Sequence, residues 1–294
     1  MPKSKQDKSI TLSDGRTLAY TEHGDLYGPA IFFFHGNPGS RWMRHPDDSI
    51  VETLAVRIIT PDRPGYGLSD FQKKRTLLDY PDDLKQLADA LNLDQFGVFG
   101  VSAGGPYVAA TAYALPERVK SAAIVSGPAP FDRDNPYEGV NDTYQRAYKL
   151  AKWPAWILRP LLNWQTKAAL KDPEAAMKVT YTYISQADRE LLDQPQFREQ
   201  VKGYRAEAAR QGINGLVREA QILVSPWGFD LHMIKPTIHL WYWADDTLVP
   251  PQMGRYLEAH MPHTISHFLP DGGHFSIFTH WRTILEALLQ DRQT

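Results

Sequence analysis

Cysteine is absent from the 294-residue chain, which removes disulfides, thiolate metal sites and a cysteine nucleophile together. An excess of one charge is lacking as well. With 32 Lys and Arg against 34 Asp and Glu, the formal net charge of −2 gives no field suited to collecting nucleic acid or an anionic membrane. Long apolar runs are also missing, since stretches such as 30–34 and 237–243 fall far below the ~18–20 residues that span a bilayer. The charged start, Met1-Pro2-Lys3-Ser4-Lys5-Gln6-Asp7-Lys8, is not followed by the apolar run of a secretory signal, so cytoplasmic residence is the expectation. There is no H-E-x-x-H pair and no phosphate-cradling G-x-x-x-x-G-K-[ST] segment, and neither a metal nor an organic cofactor is expected. Neither a nucleic-acid nor a membrane partner is expected.

The composition, 43% apolar and 22% charged, is that of an ordinary soluble globular protein, and the length suits one large core with room for an insertion. The turn-forming Ser13-Asp14-Gly15 between residues 9–12 and 16–20 predicts an opening β-hairpin. Short apolar runs follow at 30–34, 57–60, 96–99, 121–125, 237–243 and 264–269. Most lack strict alternation and are rich in Val, Ile, Phe or Trp, as strands buried on both faces of a parallel sheet are. Between them, Tyr80, Leu84, Leu87, Ala88 and Leu91 recur at helical spacing on one face, and 105–114, 251–260 and 276–290 have helical character. Alternating strands and helices imply a mostly parallel, doubly wound α/β sheet with right-handed crossovers.

The alternation stops in the middle. Residues 131–230 carry Trp153, Trp156, Trp164 and Trp227 among helix-compatible segments at 175–183 and 200–210, broken by Pro154, Pro160, Pro173 and Pro195. This stretch reads as a helical cap inserted into a core formed by 1–130 and 231–294. Sites in open α/β sheets lie outside the carboxyl ends of the strands, so an insertion there should roof the site. Its aromatics, with Tyr181 and Tyr183, are expected to line an apolar pocket or to pack the cap onto the core.

Gly100-Val101-Ser102-Ala103-Gly104-Gly105 follows the run 96–99 and precedes a helix. A serine presented on a tight strand-to-helix turn needs small neighbours, because the turn leaves no room for Cβ atoms at 100 and 104. Such a turn exposes the hydroxyl and aims the Ala103 amide and the helix N-terminus at charge developing beside it.

With these residues the chain resembles the α/β-hydrolase fold family over nearly its whole length apart from the insertion. His35-Gly36-Asn37-Pro38-Gly39 looks like that family's oxyanion loop, and Asp62-Arg63-Pro64-Gly65-Tyr66-Gly67-Leu68-Ser69 resembles its D-x-x-G-x-G-x-S loop. The resemblance implies Ser102 as nucleophile, with the Asn37 and Ala103 amides as oxyanion donors. His35 is read as a loop-fixing hydrogen-bond donor, and the loop 62–69 as architectural. Among ten histidines, His274 in Asp271-Gly272-Gly273-His274 is similar to the family's histidine loop after the last strand, and is implied as the base.

Asp245 and Asp246 both follow the run 237–243, where the family carries G-x-x-D-x-x-V-P. Alignment on Val249-Pro250 selects Asp246 as the acid orienting His274, with Trp243 standing where the family glycine would be. The serine at the elbow speaks against epoxide hydrolases and haloalkane dehalogenases, whose elbow carries aspartate. The expectation is a carboxylic ester hydrolase that passes through an acyl-serine. Lactonases, thioesterases, carbon–carbon bond hydrolases and proline iminopeptidases share the triad, and a receptor without turnover could share the scaffold.

Overall fold

The structure is a computed structural model that describes residues 7–291, and the charged segment 1–6 lies outside the described residues. Its strands are β1 (Lys8–Thr11), β2 (Thr17–Gly24), β3 (Ala30–Phe34), β4 (Arg57–Pro61), β5 (Phe96–Val101), β6 (Val119–Val125), β7 (Ile238–Trp243) and β8 (Thr264–Leu269). They form one eight-stranded sheet in the order β1-β2-β4-β3-β5-β6-β7-β8. The β1–β2 and β2–β4 pairings are antiparallel, and every other pairing is parallel.

Alternate residues of the central strands feed two separate cores. Phe32 and Phe34 of β3 join Val98 on one face, while Ile31 and Phe33 join Phe99 on the other. Between strands of the first half run α1 (Ser49–Thr53), α2 (Tyr80–Ala90) and α3 (Gly104–Ala114). Six helices follow β6: α4 (Asp142–Ala151), α5 (Ala155–Lys171), α6 (Pro173–Tyr181), α7 (Gln186–Asp193), α8 (Pro195–Ala208) and α9 (Asn214–Leu223). A short 3-10 turn, α10 (Pro251–His260) and α11 (Trp281–Asp291) complete the chain. Leu84 of α2, Val108 of α3 and Leu257 of α10 pack into the first core. Val51 of α1 and Ile284 of α11 pack into the second, so helices cover both faces of the sheet.

Three of the four prolines of the insertion mark breaks between helices as expected, Pro154 as the N-cap of α5, and only Pro160 departs from that reading. Pro173 and Pro195 occupy the first positions of α6 and α8, where the missing N–H would have no intrahelical partner anyway. Pro160 sits inside α5, which continues through it. Its loss of one hydrogen bond falls on an exposed stretch where water can meet the freed carbonyl. The last helix begins at Trp281 rather than near 276, because Ser276 is engaged in the preceding loop, its Oγ accepting from Gly273 N at 2.9 Å.

Buried charges fasten the insertion to the sheet. Glu219 of α9 lies 2.9 Å from Arg63 Nε and 2.5 Å from Arg75 Nη2, and accepts from the Tyr107 hydroxyl of α3 at 2.9 Å. Both guanidinium groups hold the Glu219 carboxyl below its usual range against the opposing effect of complete burial. Glu207 of α8 similarly faces Arg41, which also pairs with Asp62. Between these pairs the backbones nearly touch, for a Cβ added to Gly215 would lie 2.3 Å from Gly65 O.

Candidate active site

Ser102 stands directly after β5 with φ of 53°, a left-handed conformation held by Ser102 N donating to Val125 O and Gly105 N donating to Ser102 O. A Cβ at Gly100 would lie 2.6 Å from Gly104 O, and one at Gly104 would lie 2.2 Å from Phe34 O. The turn therefore requires glycine at both places, because neighbouring backbone fills the space a side chain would need. The N-terminus of α3, whose first nine residues are buried, points its partial positive charge at the serine.

His274 is carried by the loop after β8 and is buried. Its Nδ1 lies 2.8 Å from Asp246 Oδ2, while Asp246 Oδ1 accepts from the backbone of Leu248 at 2.9 Å and of Val249 at 3.0 Å. Three bonds thus fix a carboxylate that is 1% exposed, and they leave the other imidazole nitrogen available to the cavity. Asp245 is exposed, and its carboxylate accepts from Gly272 N at 3.4 Å rather than from His274. The neighbouring Trp243 is fully buried beneath the loop, and Gly272 (φ 115°) makes room for it, since a Cβ there would meet Trp243 Cδ1 at 2.7 Å. Burial opposes a charge on His274, but the Asp246 carboxylate, their hydrogen bond and the charge of Asp188 outweigh it. The imidazole pKa is raised above its usual value, with Arg205 pulling the other way.

Asp188, which no sequence motif marks, also meets the histidine loop. It belongs to α7 of the insertion, is 1% exposed, and accepts from His274 N at 2.9 Å and Phe275 N at 2.7 Å. Gly273 permits this approach, because a Cβ there would lie 2.2 Å from Asp188 Oδ2. In sequence Asp188 reads only as the third residue of a helix capped by Ser185, whose side chain accepts from Asp188 N. Burial raises the Asp188 carboxyl's pKa, against the opposing effects of the Phe275 amide and His274.

Across the serine lies the loop His35–Gly39. Tyr66 OH donates to Asn37 Oδ1 at 2.9 Å, and Arg63 donates to the carbonyls of His35 and Gly36 at 2.5 and 3.0 Å. Residues of the 62–69 loop thus buttress the Asn37 loop. Both ring nitrogens of His35 are engaged, Nδ1 with Gly36 O and Nε2 with Arg63 N, and burial with the nearby Arg63 holds its pKa well below the usual imidazole value. His239 and His267 bond each other away from the serine, His239 also reaching Asp291.

Ser102, His274 and Asn37 line one cavity of about 40 Å³, together with Tyr144, Tyr183 and Arg205 of the insertion. The tryptophans of the insertion neither line it nor all pack inside. Trp156 is 75% and Trp164 69% exposed, Trp153 is 49% exposed, and only Trp227 is buried in the core. No cluster of metal-binding side chains occurs among the described residues, and no helix among them is long and apolar enough to cross a membrane.

Sheet order, strand-to-helix serine turn and histidine loop define an α/β-hydrolase architecture. The chain belongs to the α/β hydrolase fold family, whose sequence profile matches residues 29–280. It is similar to the uncharacterized hydrolase YcgS of Bacillus subtilis, with 32% identity over 113 residues, a match covering 38% of this chain and 39% of that protein. It also resembles the 2-hydroxy-6-oxo-6-phenylhexa-2,4-dienoate hydrolase of Burkholderia cepacia, at 26% identity over 269 residues, covering 86% and 84% of the two chains. Among solved structures, an esterase from Exiguobacterium antarcticum superposes with a TM-score of 0.73 at 17% identity, covering 98% of this chain and 99% of that one.

Proposed function

We propose that this protein is a cofactor-free serine hydrolase acting on small or medium, partly apolar carboxylic esters. Ser102 Oγ attacks the ester carbonyl while His274 Nε2 takes its proton and then delivers it to the departing alcohol. Asp246 holds the imidazole in the tautomer protonated at Nδ1 and balances the imidazolium that forms. The amides of Ala103 and Asn37 receive the oxyanion, and water activated by His274 releases the acid from the acyl-serine.

The observation that carries this reading is the His274–Asp246 bond of 2.8 Å on the same cavity wall as a serine held at positive φ. Among the described residues no hydrogen bond joins Ser102 Oγ to His274, a looseness common in free enzymes that closes when substrate docks. The test is turnover of aryl esters of graded acyl length, with lactone and aminoacyl-arylamide substrates alongside. Activity on the esters should be lost in Ser102→Ala. Ester turnover retained in that variant, or ligand binding without any turnover in the wild type, would overturn the reading.

A further inference from the structure

The catalytic cavity contains one permanently charged lining residue, Arg205 on α8, and no carboxylate lines it. Other arginines between insertion and sheet face acids: Arg41 meets Asp62 and Glu207, while Arg63 and Arg75 share Glu219. Arg205 meets neutral groups instead. Its Nη1 lies 3.3 Å from Thr180 Oγ1 and 3.9 Å from Met177 Sδ, and its Nε is buried with no hydrogen-bond partner among the described residues. Such a donor is costly to leave unsatisfied, and a guanidinium presents its N–H groups as a planar fork that matches a carboxylate.

The surroundings are prepared for an anion rather than supplying one. Tyr144 and Tyr204 share the wall with Arg205 and, as phenols, add no negative charge there.

We propose that Arg205 is the anion-recognition group of the substrate pocket, and that the substrate is an ester bearing a free carboxylate, such as a half-ester of a dicarboxylic acid. This deepens the serine hydrolase reading and rests on it. The carboxylate also acts on the chemistry. Arg205 opposes protonation of His274, and a bound anion that neutralises the guanidinium lifts this opposition. The base then becomes stronger when the matching substrate is in place.

The test separates binding from turnover. Calorimetry on Ser102→Ala, which cannot consume the ligand by the proposed route, compares monoethyl glutarate with its uncharged counterpart, diethyl glutarate. The half-ester should bind at least about tenfold more tightly, equivalent to about 1.4 kcal/mol. The preference should vanish in Ser102→Ala/Arg205→Gln and survive in part in Ser102→Ala/Arg205→Lys, which keeps the charge but not the fork. Equal affinities, no measurable binding of the half-ester, or a preference unchanged by Arg205→Gln would overturn the proposal. Charge-selective binding without ester turnover in the wild type would sink the hydrolase reading, and with it the ester substrate, while leaving Arg205 as an anion-recognition group. Turnover without charge selectivity would sink this proposal alone.

Discussion

Two carboxylates converge on His274, Asp246 on its ring and Asp188 on its backbone, and substitution should separate what each does. Asp246→Asn should lower kcat by about 10⁴-fold, the cost of amidating the triad aspartate in the serine-protease template, whereas Asp245→Asn should cost little. Steady-state kinetics of the two variants at matched thermal stability decides between the neighbours. Asp188→Asn replaces one acceptor oxygen by a donor facing the two amides, and should displace the imidazole. A loss of about 10²-fold in kcat with KM largely kept is the expected signature. Because burial is outweighed by Asp246 and Asp188, the folded pKa of His274 lies above the usual ~6.5. The neutral base is therefore lost on acidification from a higher pH than usual. The kcat/KM profile should fall with an apparent pKa above about 6.5, and Asp246→Asn should move that midpoint downward. The proposed roles of Ser102, Asp246 and His274 can be read from the sequence because each residue sits in a short motif beside a strand end. Asp188 is not, since its partners lie 86 and 87 residues away and its own surroundings describe only a helix start.

At the scale of elements, close backbone approach and buried charge set the tolerances. Gly104→Ala would drive a methyl to 2.2 Å from Phe34 O at the crossing of α3 and β3, so the turn must shift. A stability loss of about 1–3 kcal/mol is expected, read as a lower urea midpoint. Glu219→Gln would leave Arg63 and Arg75 buried without their shared anion, and should cost about 3–5 kcal/mol in the same experiment. The central strands are readable from sequence because burial on both faces leaves continuous apolar runs, as in Ala-Ile-Phe-Phe-Phe of β3. β8, Thr-Ile-Ser-His-Phe-Leu, mixes polar with apolar residues and is an edge strand of the described sheet, with Ile265 42% exposed. Most helices of the insertion are harder to read, since their apolar residues join the ends of both cores rather than covering the sheet along a fixed period.

For the whole molecule, chain order and sheet order place serine, acid and histidine at one edge, with the insertion above them. A cavity of about 40 Å³ holds a few waters and is far smaller than the roughly 300 Å³ of an ordinary small-molecule site, so the insertion must yield when an ester enters. Glu207, Glu219 and Asp188 anchor parts of the insertion to the sheet and its loops, while α5 carries the exposed Trp156 and Trp164. The most direct measurement of whether this arrangement activates its serine is the intact mass of the protein after reaction with a fluorophosphonate, followed by mapping of the modified peptide. One adduct per chain is expected, on Ser102, with none formed in Ser102→Ala and much slower labelling in His274→Ala. An adduct that persists in Ser102→Ala, or no adduct on the folded wild type, would contradict the assignment of Ser102 as the nucleophile.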